Sequence, residues 1–367
     1  MRILVTGCGG FIGSHLLDAL LKRESTSVVG WDYDHSRIGH LLGHERLVLR
    51  GADLYAGDSE AQLRDDVRYC DAVINLAAIC NPSQYNTRPL GVIRSNFIDA
   101  MRTVDLCAEQ GRWLIHVSTS EVYGRTLASY TGDTEYSDPL LYELDEDRTP
   151  FTLGPVQNQR WSYACAKQLM ERYVYAHRFE HGMPFTIIRP LNFFGPRMDF
   201  LPGIEGEGIP RVLACFLSAL LRDEPLQLVD GGQARRVVTG IDDAIDAFLR
   251  ILDRREVAEG EIFNIGNPAN ETTIRELAER MRRIFAEVVG DARYLDHPLH
   301  NVAGADFYGP GYEDSDRRLP RIEKARSLLG WEPVVPLDAV LRQTIVHYVH
   351  KYWPGERGAN AWSRAAG

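Results

Sequence analysis

Short runs of apolar residues recur through the first half of the chain, and they show no alternation of apolar with polar positions. The runs occupy residues 2–5, 28–32, 46–50, 71–78 and 113–120. Strands buried on both faces of a parallel sheet have this pattern, whereas half-exposed strands alternate. Helical patterns separate the runs, the first at residues 14–21. The sequence therefore predicts an α/β fold with a doubly wound parallel sheet.

The pattern is less regular after residue 196, where a loop rich in Gly and Pro occupies residues 198–210. The elements predicted beyond it are helices at about 211–221, 242–252 and 273–289, a strand and turn at 226–232, and a strand at 262–266. These shorter elements predict a second, smaller α/β lobe.

The length of the chain, 367 residues, is sufficient for two connected lobes. We expect a nucleotide-binding domain of residues 1–189 plus about 237–268. The C-terminal lobe, residues 190–236 plus about 269–350, is expected to bind the substrate, and residues 351–367 form a tail.

Composition and charge exclude several classes of function. The chain is 44% apolar and 25% charged, and its net charge of -10 argues against an extended nucleic-acid or membrane surface. No apolar run reaches the ~18 residues of a membrane span. Six cysteines are scattered without the spacing of a metal site, which is typical of reduced thiols in a cytoplasmic protein.

A glycine triplet follows the first predicted strand and opens the first helix. Its spacing is Gly7-x-x-Gly10-x-x-Gly13, and Asp32 comes 19 residues after the last glycine. The glycines allow a tight turn and close approach of a pyrophosphate to the helix N-terminus, and the acid suits the adenosine ribose diol. Because a carboxylate would repel a 2′-phosphate, NAD is favoured over NADP. The alternative is an ordinary strand–helix turn with an exposed acid.

Other residues near the predicted strand ends complete the cofactor site. Asp53 follows the third strand and is placed to reach the adenine amino group. The fourth strand ends in small residues, Ala77 and Ala78, which suit a backbone that passes a cofactor. The further cofactor candidates are Phe11, Ile12, Leu54, Leu76 and Asn96.

Tyr163 and Lys167 are four positions apart, and on a helix this spacing places both side chains on one face. An ammonium beside a phenol favours the phenolate and lowers its pKa from about 10. Such a tyrosine can take a proton from a sugar hydroxyl as a hydride leaves the same carbon. A surface Tyr–Lys pair is the alternative.

Residues that could take part in catalysis follow two further strand ends. Thr119 could orient the hydroxyl that Tyr163 deprotonates, and Glu121 is a second acid–base candidate or, alternatively, a helix cap or surface carboxylate. Cys80 follows the fourth strand and is either a plain buried residue or a reactive thiol. The acidic, turn-rich segment 126–159 predicts a lid or a disordered insertion.

Five motifs in this order resemble the extended short-chain dehydrogenase/reductase family. They are Gly7-x-x-Gly10-x-x-Gly13, Asn75-Leu76-Ala77-Ala78, Ser118-Thr119-Ser120, Tyr163-x-x-x-Lys167 and the segment 189–196. The resemblance covers residues 1 to about 350. It implies a Rossmann fold, NAD as cofactor, and a homodimer formed through the helices at 96–109 and 163–179.

Within that family the chain resembles enzymes that decarboxylate UDP-glucuronate. The matching blocks are 79–82, 85–89, 118–124, 159–163, 195–200 and 307–318. The resemblance places Arg318 near the sugar carboxylate and turns Glu121 and Tyr85 toward the ring. The other substrate-binding candidates are Arg160, which reaches the substrate, Asn192, Arg211 and Arg236, which hold the uridine diphosphate, and Tyr312.

Arginines in an acidic chain support a doubly anionic ligand, because guanidinium matches phosphate and carboxylate oxygens in pairs. The arginines concerned are Arg211, Arg235, Arg236, Arg317 and Arg318. Collectively they fit a nucleotide diphosphate plus one acid group, and each alone also fits a surface salt bridge.

Position 120 departs from one group of these enzymes. The apiose-forming group has Cys there, the group that forms a 4-keto-pentose has Ser, and this chain has Ser120. At Cys80 the chain instead follows the apiose-forming group.

The resemblance implies oxidation of UDP-glucuronate at C4 by NAD and then decarboxylation. The expected product is UDP-xylose or the UDP-4-keto-pentose, with UDP-apiose minor or absent. A nucleotide-sugar 4-epimerase or dehydratase that loses no carbon is the second hypothesis. A non-enzymatic NAD sensor on the same fold is the third.

Overall fold

A computed structural model describes residues 1–54, 56–206, 208–308 and 313–353. The strands are β1 Arg2–Thr6, β2 Ser27–Trp31, β3 Leu47–Arg50, β4 Ala72–Asn75, β5 Trp113–Val117, β6 Glu143–Leu144, β7 Phe185–Pro190, β8 Phe193–Phe194, β9 Leu226–Val229, β10 Arg235–Val237, β11 Thr239–Gly240, β12 Ile262–Ile265, β13 Glu271–Thr273, β14 Leu299–Val302 and β15 Leu319–Pro320.

The α-helices connect and cover these strands. They are α1 Phe11–Leu21, α2 Glu60–Arg68, α3 Ser83–Thr87, α4 Pro89–Ile93, α5 Asp99–Glu109, α6 Leu127–Thr131, α7 Ser162–His181, α8 Val212–Leu221, α9 Ile241–Asp253, α10 Arg255–Ala258, α11 Ile274–Val289, α12 Gly304–Tyr308, α13 Glu323–Leu329 and α14 Leu337–Tyr352.

Seven parallel strands form the central sheet in the order β12-β7-β5-β4-β1-β2-β3. The predicted doubly wound α/β class is therefore confirmed. The strand order reverses between β1 and β4, and in such sheets ligands bind beyond the carboxyl ends of the strands at that point.

Apart from the edge strand β3, the strands are buried on both faces of the sheet, which explains why they read as unbroken apolar runs. Ile3 and Val5 of β1 face one core with α1 and α9, whereas Leu4 faces the other core with α2, α5 and α7. A slip of one residue would exchange the two faces, so this burial fixes the register.

A separate core joins α8, α11, α14 and the β9–β14 pair in the C-terminal half. Helix α11 starts with a capping box, in which the Thr273 side chain accepts from the N–H of Glu276 and the Glu276 carboxylate accepts from the N–H of Thr273. Its apolar face, which includes Leu277 and Phe285, is buried in this core.

The segment 126–159 is ordered and attached to the rest of the molecule, so the prediction of a disordered insertion is wrong. Its strand β6 pairs with β15, and Leu144 is fully buried. The Glu146 carboxylate accepts from the Asn264 N–H at 2.7 Å. These partners are distant in sequence, which is why composition alone gave the wrong picture.

No helix in the described ranges has both the length and the apolar character needed to cross a membrane.

A buried ion pair links the sheet to α7. The Arg189 guanidinium donates to both carboxylate oxygens of Glu171 at 3.0 and 2.6 Å, and the two side chains are 2% and 6% exposed. Tyr123 accepts a further bond from Arg189 at 2.7 Å.

We expect Glu171→Ala to lower the free energy of unfolding by roughly 3–5 kcal/mol, because it leaves a buried guanidinium unpaired. Urea denaturation measures this loss. Asp253→Ala is the matched control, since its pair with Arg23 is at the surface and contributes about 1 kcal/mol or less. Equal small losses in both variants would contradict the expectation.

Candidate functional site

The glycine turn between β1 and α1 leaves no room for side chains. A Cβ on Gly7 would lie 2.8 Å from the Ala77 nitrogen, and one on Gly13 would lie 2.3 Å from the Gly7 oxygen. Gly7 also has a φ of +71°, which L side chains rarely adopt. Helix α1 begins directly afterwards, at Phe11 and Ile12, so its N-terminal N–H groups face this turn. The turn fits the pyrophosphate of a dinucleotide.

Asp32 is held against the same turn. Its carboxylate accepts from the Gly9 N–H at 2.9 Å and from the Asp34 N–H at 3.0 Å. Asp53 is exposed in the loop after β3, and Leu54 beside it is buried. Asp32 is thus placed where the adenosine ribose of a dinucleotide would lie.

Asn96 connects the loop after β4 to the helical segment that follows it. It lies in a π-helical turn, Arg94–Ile98, between α4 and α5, and such turns are frequent at functional sites. Its amide donates to the Ile79 and Val92 carbonyls, both at 2.9 Å. The loop after β4, with partly buried Leu76, Ala77 and Ala78, is fixed by the first of these bonds.

Tyr163 and Lys167 lie one turn apart near the start of α7, and both are buried. The Thr119 side chain hydrogen-bonds the Tyr163 phenol. The Tyr85 ring stacks on the Tyr163 ring with 4.9 Å between centroids and 9° between planes. The Lys167 ammonium donates to the Val117 carbonyl at 3.0 Å.

Burial dominates the ionisation of this pair. It raises the pKa of Tyr163, against the lowering effect of the Thr119 hydrogen bond, and it lowers the pKa of Lys167 to about 8. The expected lowering of the tyrosine pKa is therefore wrong for the protein without ligands. The physical reason is that a phenolate would lose more hydration energy in this site than its neighbours return.

Glu121 is at the centre of a partly buried cluster of charges. Its Oε2 lies 2.7 Å from Nη2 of Arg160, and its Oε1 accepts from Arg318. Arg318 also donates to Asp314 at 2.9 Å, and Asp314 accepts from Arg236 at 2.5 Å. We call these five residues the ion cluster.

The two carboxylates of the ion cluster stay ionised. Burial opposes ionisation of Glu121, but Arg160 and Arg318 outweigh it and lower the Glu121 pKa. For Asp314 burial is likewise outweighed, mainly by Arg236 and Arg318, so the pKa of that carboxyl is also lowered. Glu121 therefore holds no proton to donate near neutral pH, which favours base or charge-pairing roles over an acid role.

Other predicted ligands of the substrate lie apart from this cluster. Arg211 pairs through two bonds with Asp199, at 2.8 and 3.0 Å, and its guanidinium lies 5.8 Å from the centroid of the Phe11 ring. The Asn192 amide donates to the Val237 carbonyl at 2.9 Å, and Asn192 has a φ of +44°. The charge of Arg211 lowers the pKa of Tyr163, so Arg211 lies toward the tyrosine end of the site.

Arg235 and Arg317 turn away from the ion cluster. Both pair with Glu271, at 3.8 and 2.7 Å, and Arg317 lies over the Tyr142 ring at 4.2 Å. The five arginines singled out in the sequence therefore do not converge on one anion. Tyr312 lies outside the described residues.

Cys80 and Ser120, the two positions at which the related groups of enzymes differ, have different surroundings. Cys80 is exposed, so it is not the plain buried residue expected, and its carbonyl accepts from the Tyr85 hydroxyl at 3.2 Å. Removal of water by the surrounding protein nevertheless raises the pKa of its thiol. Ser120 is buried, at 7% exposure. A thiolate at Cys80 is disfavoured near neutral pH.

Sequence reasoning missed Asp314 and Asp199, the acids that hold the site arginines. Both lie inside blocks that had been noted, and Asp314 comes four positions before Arg318. That spacing was an available signal for the first acid. The second, twelve positions before Arg211, is brought to it only by the fold.

With this geometry established, comparison with known proteins identifies the class. The chain belongs to the NAD dependent epimerase/dehydratase family, whose model matches residues 3–266.

Individual relatives narrow the comparison. The chain is 46% identical over 359 residues, 96% of its length, to UDP-D-apiose/UDP-D-xylose synthase 1 of Arabidopsis thaliana, of which the match covers 92%. It is also 46% identical to UDP-D-apiose/UDP-D-xylose synthase of Oryza sativa subsp. japonica, over 96% of this chain and 89% of that protein.

Solved structures agree with the fold. The PbgP3 protein from Burkholderia pseudomallei is 34% identical, with a TM-score of 0.80 and 98% of both chains covered. A mutant UDP-glucuronic acid 4-epimerase from Bacillus cereus, in complex with a fluorinated UDP-glucuronic acid and NAD, is similar in fold, with a TM-score of 0.77 at 24% identity over 96% of this chain and 100% of that one.

We expect Asp32→Ala to weaken NAD binding and to relax the discrimination against NADP, because the carboxylate suits a ribose diol and repels a phosphate. Calorimetric titration with both dinucleotides measures this change. Asp34→Ala is the control, since that carboxylate serves its own loop by accepting from the Ser36 N–H at 2.8 Å. Unchanged NAD affinity in Asp32→Ala would remove the residue from the site.

A stability test follows from the buried Lys167. Its folded pKa is about 8 against an ordinary value of 10.5, so the cost of its buried charge is full below pH 8 and is relieved as the pH rises toward 10.5. Without cofactor, Lys167→Met should be more stable than wild type at pH 7 by about 1–3 kcal/mol. The difference should shrink above pH 8, as followed by urea unfolding. Lys22→Met, at an exposed position, should leave the free energy of unfolding unchanged both at pH 7 and above pH 8. A difference that is independent of pH would count against a buried charge.

Proposed function

We propose that this chain is an NAD-dependent enzyme that oxidises UDP-glucuronate at C4 and decarboxylates it. The product is UDP-xylose or the UDP-4-keto-pentose, with UDP-apiose minor or absent. One observation carries the proposal most directly. The ion cluster places Arg318 and Arg160 beside a Glu121 carboxylate, near the Tyr163–Lys167 pair, so the site offers guanidinium groups to a second carboxylate.

The residues present fit NAD. The glycine turn between β1 and α1 would receive the pyrophosphate and Asp32 the adenosine ribose, and Asn96 would keep the loop after β4 in place for the nicotinamide end. When bound, NAD supplies a hydride acceptor and later a hydride donor at C4.

The chain itself manages the protons at C4. Tyr163 receives the proton of the C4 hydroxyl, and Thr119, which already bonds the phenol, orients that hydroxyl. Lys167 stabilises the phenolate while it remains tied to the Val117 carbonyl. Tyr85, stacked on Tyr163, forms an apolar wall that limits the ring positions of the sugar.

Decarboxylation then needs little further machinery. A ketone at C4 is β to the carboxylate, so loss of carbon dioxide leaves an enolate that the same carbonyl stabilises. Arg318 orients the carboxylate before the bond breaks, with Arg160 beside it. A water supplies the proton that the enolate takes up at carbon, and the ionised Glu121 carboxylate, held by two arginines, orients that water by accepting a hydrogen bond from it.

We propose that the two lobes divide the binding of the two ligands. The residues 1–189 plus about 237–268 would bind NAD, and 190–236 plus about 269–350 the uridine diphosphate, with Asn192, Arg211, Arg236 and Tyr312 as candidate ligands. Residues 354–367 of the expected tail lie outside the described residues.

We also propose a homodimer formed through α5 and α7. Exposed apolar side chains on and next to these helices support it, among them Ile98, Leu169, Tyr175 and Phe179. Six cysteines without disulfide partners support a cytoplasmic location.

Incubation with UDP-glucuronate, once with catalytic and once with stoichiometric NAD, tests the function, with products identified by NMR, because the UDP-4-keto-pentose leaves one NADH per turnover whereas UDP-xylose regenerates NAD. We expect release of carbon dioxide and a UDP-pentose, and Tyr163→Phe should reduce turnover by ~10² or more. Accumulation of a 4-epimer with no loss of carbon would establish an epimerase instead. Tight NAD binding with no turnover of any nucleotide sugar would favour a sensor.

Arg318→Ala should weaken binding of UDP-glucuronate far more than binding of UDP-glucose, because only the former has a carboxylate to pair with it. Titration calorimetry with both ligands measures the two losses. The neighbouring Arg317→Ala is a matched control, since that arginine is bound to Glu271. Equal losses for both ligands in Arg318→Ala would place the residue on the diphosphate or in the scaffold.

The product ratio depends on positions 80 and 120. Forming apiose requires a retro-aldol break of the C2–C3 bond, which needs a base at the C2 hydroxyl. Serine cannot act as that base unaided, and the raised pKa of Cys80 disfavours its thiolate.

We therefore expect Ser120→Cys to increase the UDP-apiose fraction and Cys80→Ala to decrease it, with carbon dioxide release retained in both. NMR of the product mixture measures the ratio, and Cys165→Ala, at an exposed position on α7, is the control. Wild type that makes mostly UDP-apiose would show that a thiol at position 120 is not required.

A further inference from the structure

A chain of hydrogen bonds runs under the cofactor edge of the sheet. The Ala77 N–H donates to Thr6 Oγ1 at 3.4 Å, and the Thr6 hydroxyl donates to Asn75 Oδ1 at 2.7 Å. The Asn75 amide nitrogen lies 3.4 Å from Nδ1 of His116. In this series of hydrogen bonds, every donor therefore points from the glycine-turn side of the sheet toward His116.

The direction of these hydrogen bonds determines the tautomer of the His116 imidazole. Because Asn75 uses its oxygen to accept from Thr6, its nitrogen must donate, and Nδ1 of His116 must accept. The single imidazole proton is then on Nε2. That atom is fully buried and has no hydrogen-bond partner among the described residues, while His116 as a whole is 1% exposed. A buried N–H of this kind calls for an acceptor.

The side chain of His116 lies on the Lys167 side of the sheet. Leu114, two positions earlier in β5, packs in the core with α5 and α7, and side chains two apart share a face. Lys167 of α7 donates to the carbonyl of Val117, the residue after His116. Burial, and then the charge of Lys167, keeps the pKa of His116 well below its ordinary value, so the imidazole is neutral.

Two donors that lie on the same side of the sheet can share one acceptor. The imidazole Nε2–H and the Lys167 ammonium both donate, so they cannot bond directly, whereas one water can accept from both. Tyr163, Cys80 and Glu171 are the other titratable groups around Lys167. Since these groups lie along α7 and the loop after β4, His116 is the group that approaches the ammonium from inside the sheet.

We propose that His116 is a positioning residue for Lys167, and that its Nε2–H anchors a buried water which accepts a hydrogen bond from the lysine ammonium. The catalytic part of this role rests on the proposed function. The water keeps Lys167 charged to higher pH and holds it where the phenolate of Tyr163 forms. The chain through Asn75 and Thr6 also links this position to the backbone of the cofactor site.

Isosteric variants separate positioning from plain structure. His116→Asn keeps a polar group at the Nδ1 position and loses the donor at Nε2, whereas His116→Gln puts an amide N–H near the Nε2 position. We expect the alkaline limb of kcat/KM against pH to move down by roughly half a pH unit or more in His116→Asn, because the ammonium loses a hydrogen bond. His116→Gln should restore the wild-type limb.

A second measurement does not depend on turnover. ¹⁵N NMR of histidine-labelled wild type without ligands, with His116→Gln used for assignment, should show a neutral imidazole protonated at Nε2 from pH 6 to 9. A proton on Nδ1, or an imidazolium, would overturn the proposal. So would equal alkaline limbs in wild type and both variants. Absence of decarboxylation with the Nε2–H form present would instead count against the proposed function alone.

Discussion

The arrangement of the site depends on the pairing of partly buried charges in the ion cluster. Three guanidinium groups and two carboxylates meet there, and they come from the turn after β5, the turn just before α7, strand β10 and the segment 313–318. A buried charge without a partner is strongly destabilising, so each group constrains the others. Four distant parts of the chain are thereby held at one edge of the sheet, toward Tyr163.

The same cluster has a formal charge of +1 over these five described side chains. A site with excess guanidinium attracts a carboxylate or phosphate, and the low dielectric of the interior strengthens that attraction. Glu121 has a double role in this balance. It compensates the arginines in the free protein, and in the proposed function its ionised carboxylate also lies beside the bound sugar.

Local signals in the sequence predicted what local interactions determine. The strand, glycine turn and helix at the N-terminus, Asp32 and the Tyr163–Lys167 spacing are each set within a few residues, and the structure places them together. Apolar runs likewise predicted the sheet, because burial on both faces leaves a direct mark on composition. Pairings across long separations could not be predicted in this way. The partners of Arg317 and Arg211 are Glu271 and Asp199, and no periodicity marks them. The pKa of Tyr163 was misjudged for a related reason, since its burial by elements far away in sequence outweighs the lysine one turn away.

In the protein without ligands, ionisation of Tyr163 and of Lys167 is unfavourable, and this has a functional consequence. Burial pushes Tyr163 toward the neutral phenol and Lys167 toward the neutral amine, so each charge alone is disfavoured. A phenolate beside an ammonium is a different case, because the two charges compensate each other at short range. Ligands that order the two side chains and exclude water strengthen that compensation. We infer that proton transfer from the sugar becomes favourable only in the assembled complex, which ties the chemistry to occupancy of the site. The neutral His116 beneath Lys167 is consistent with this arrangement, since an imidazolium there would repel the ammonium that the complex needs.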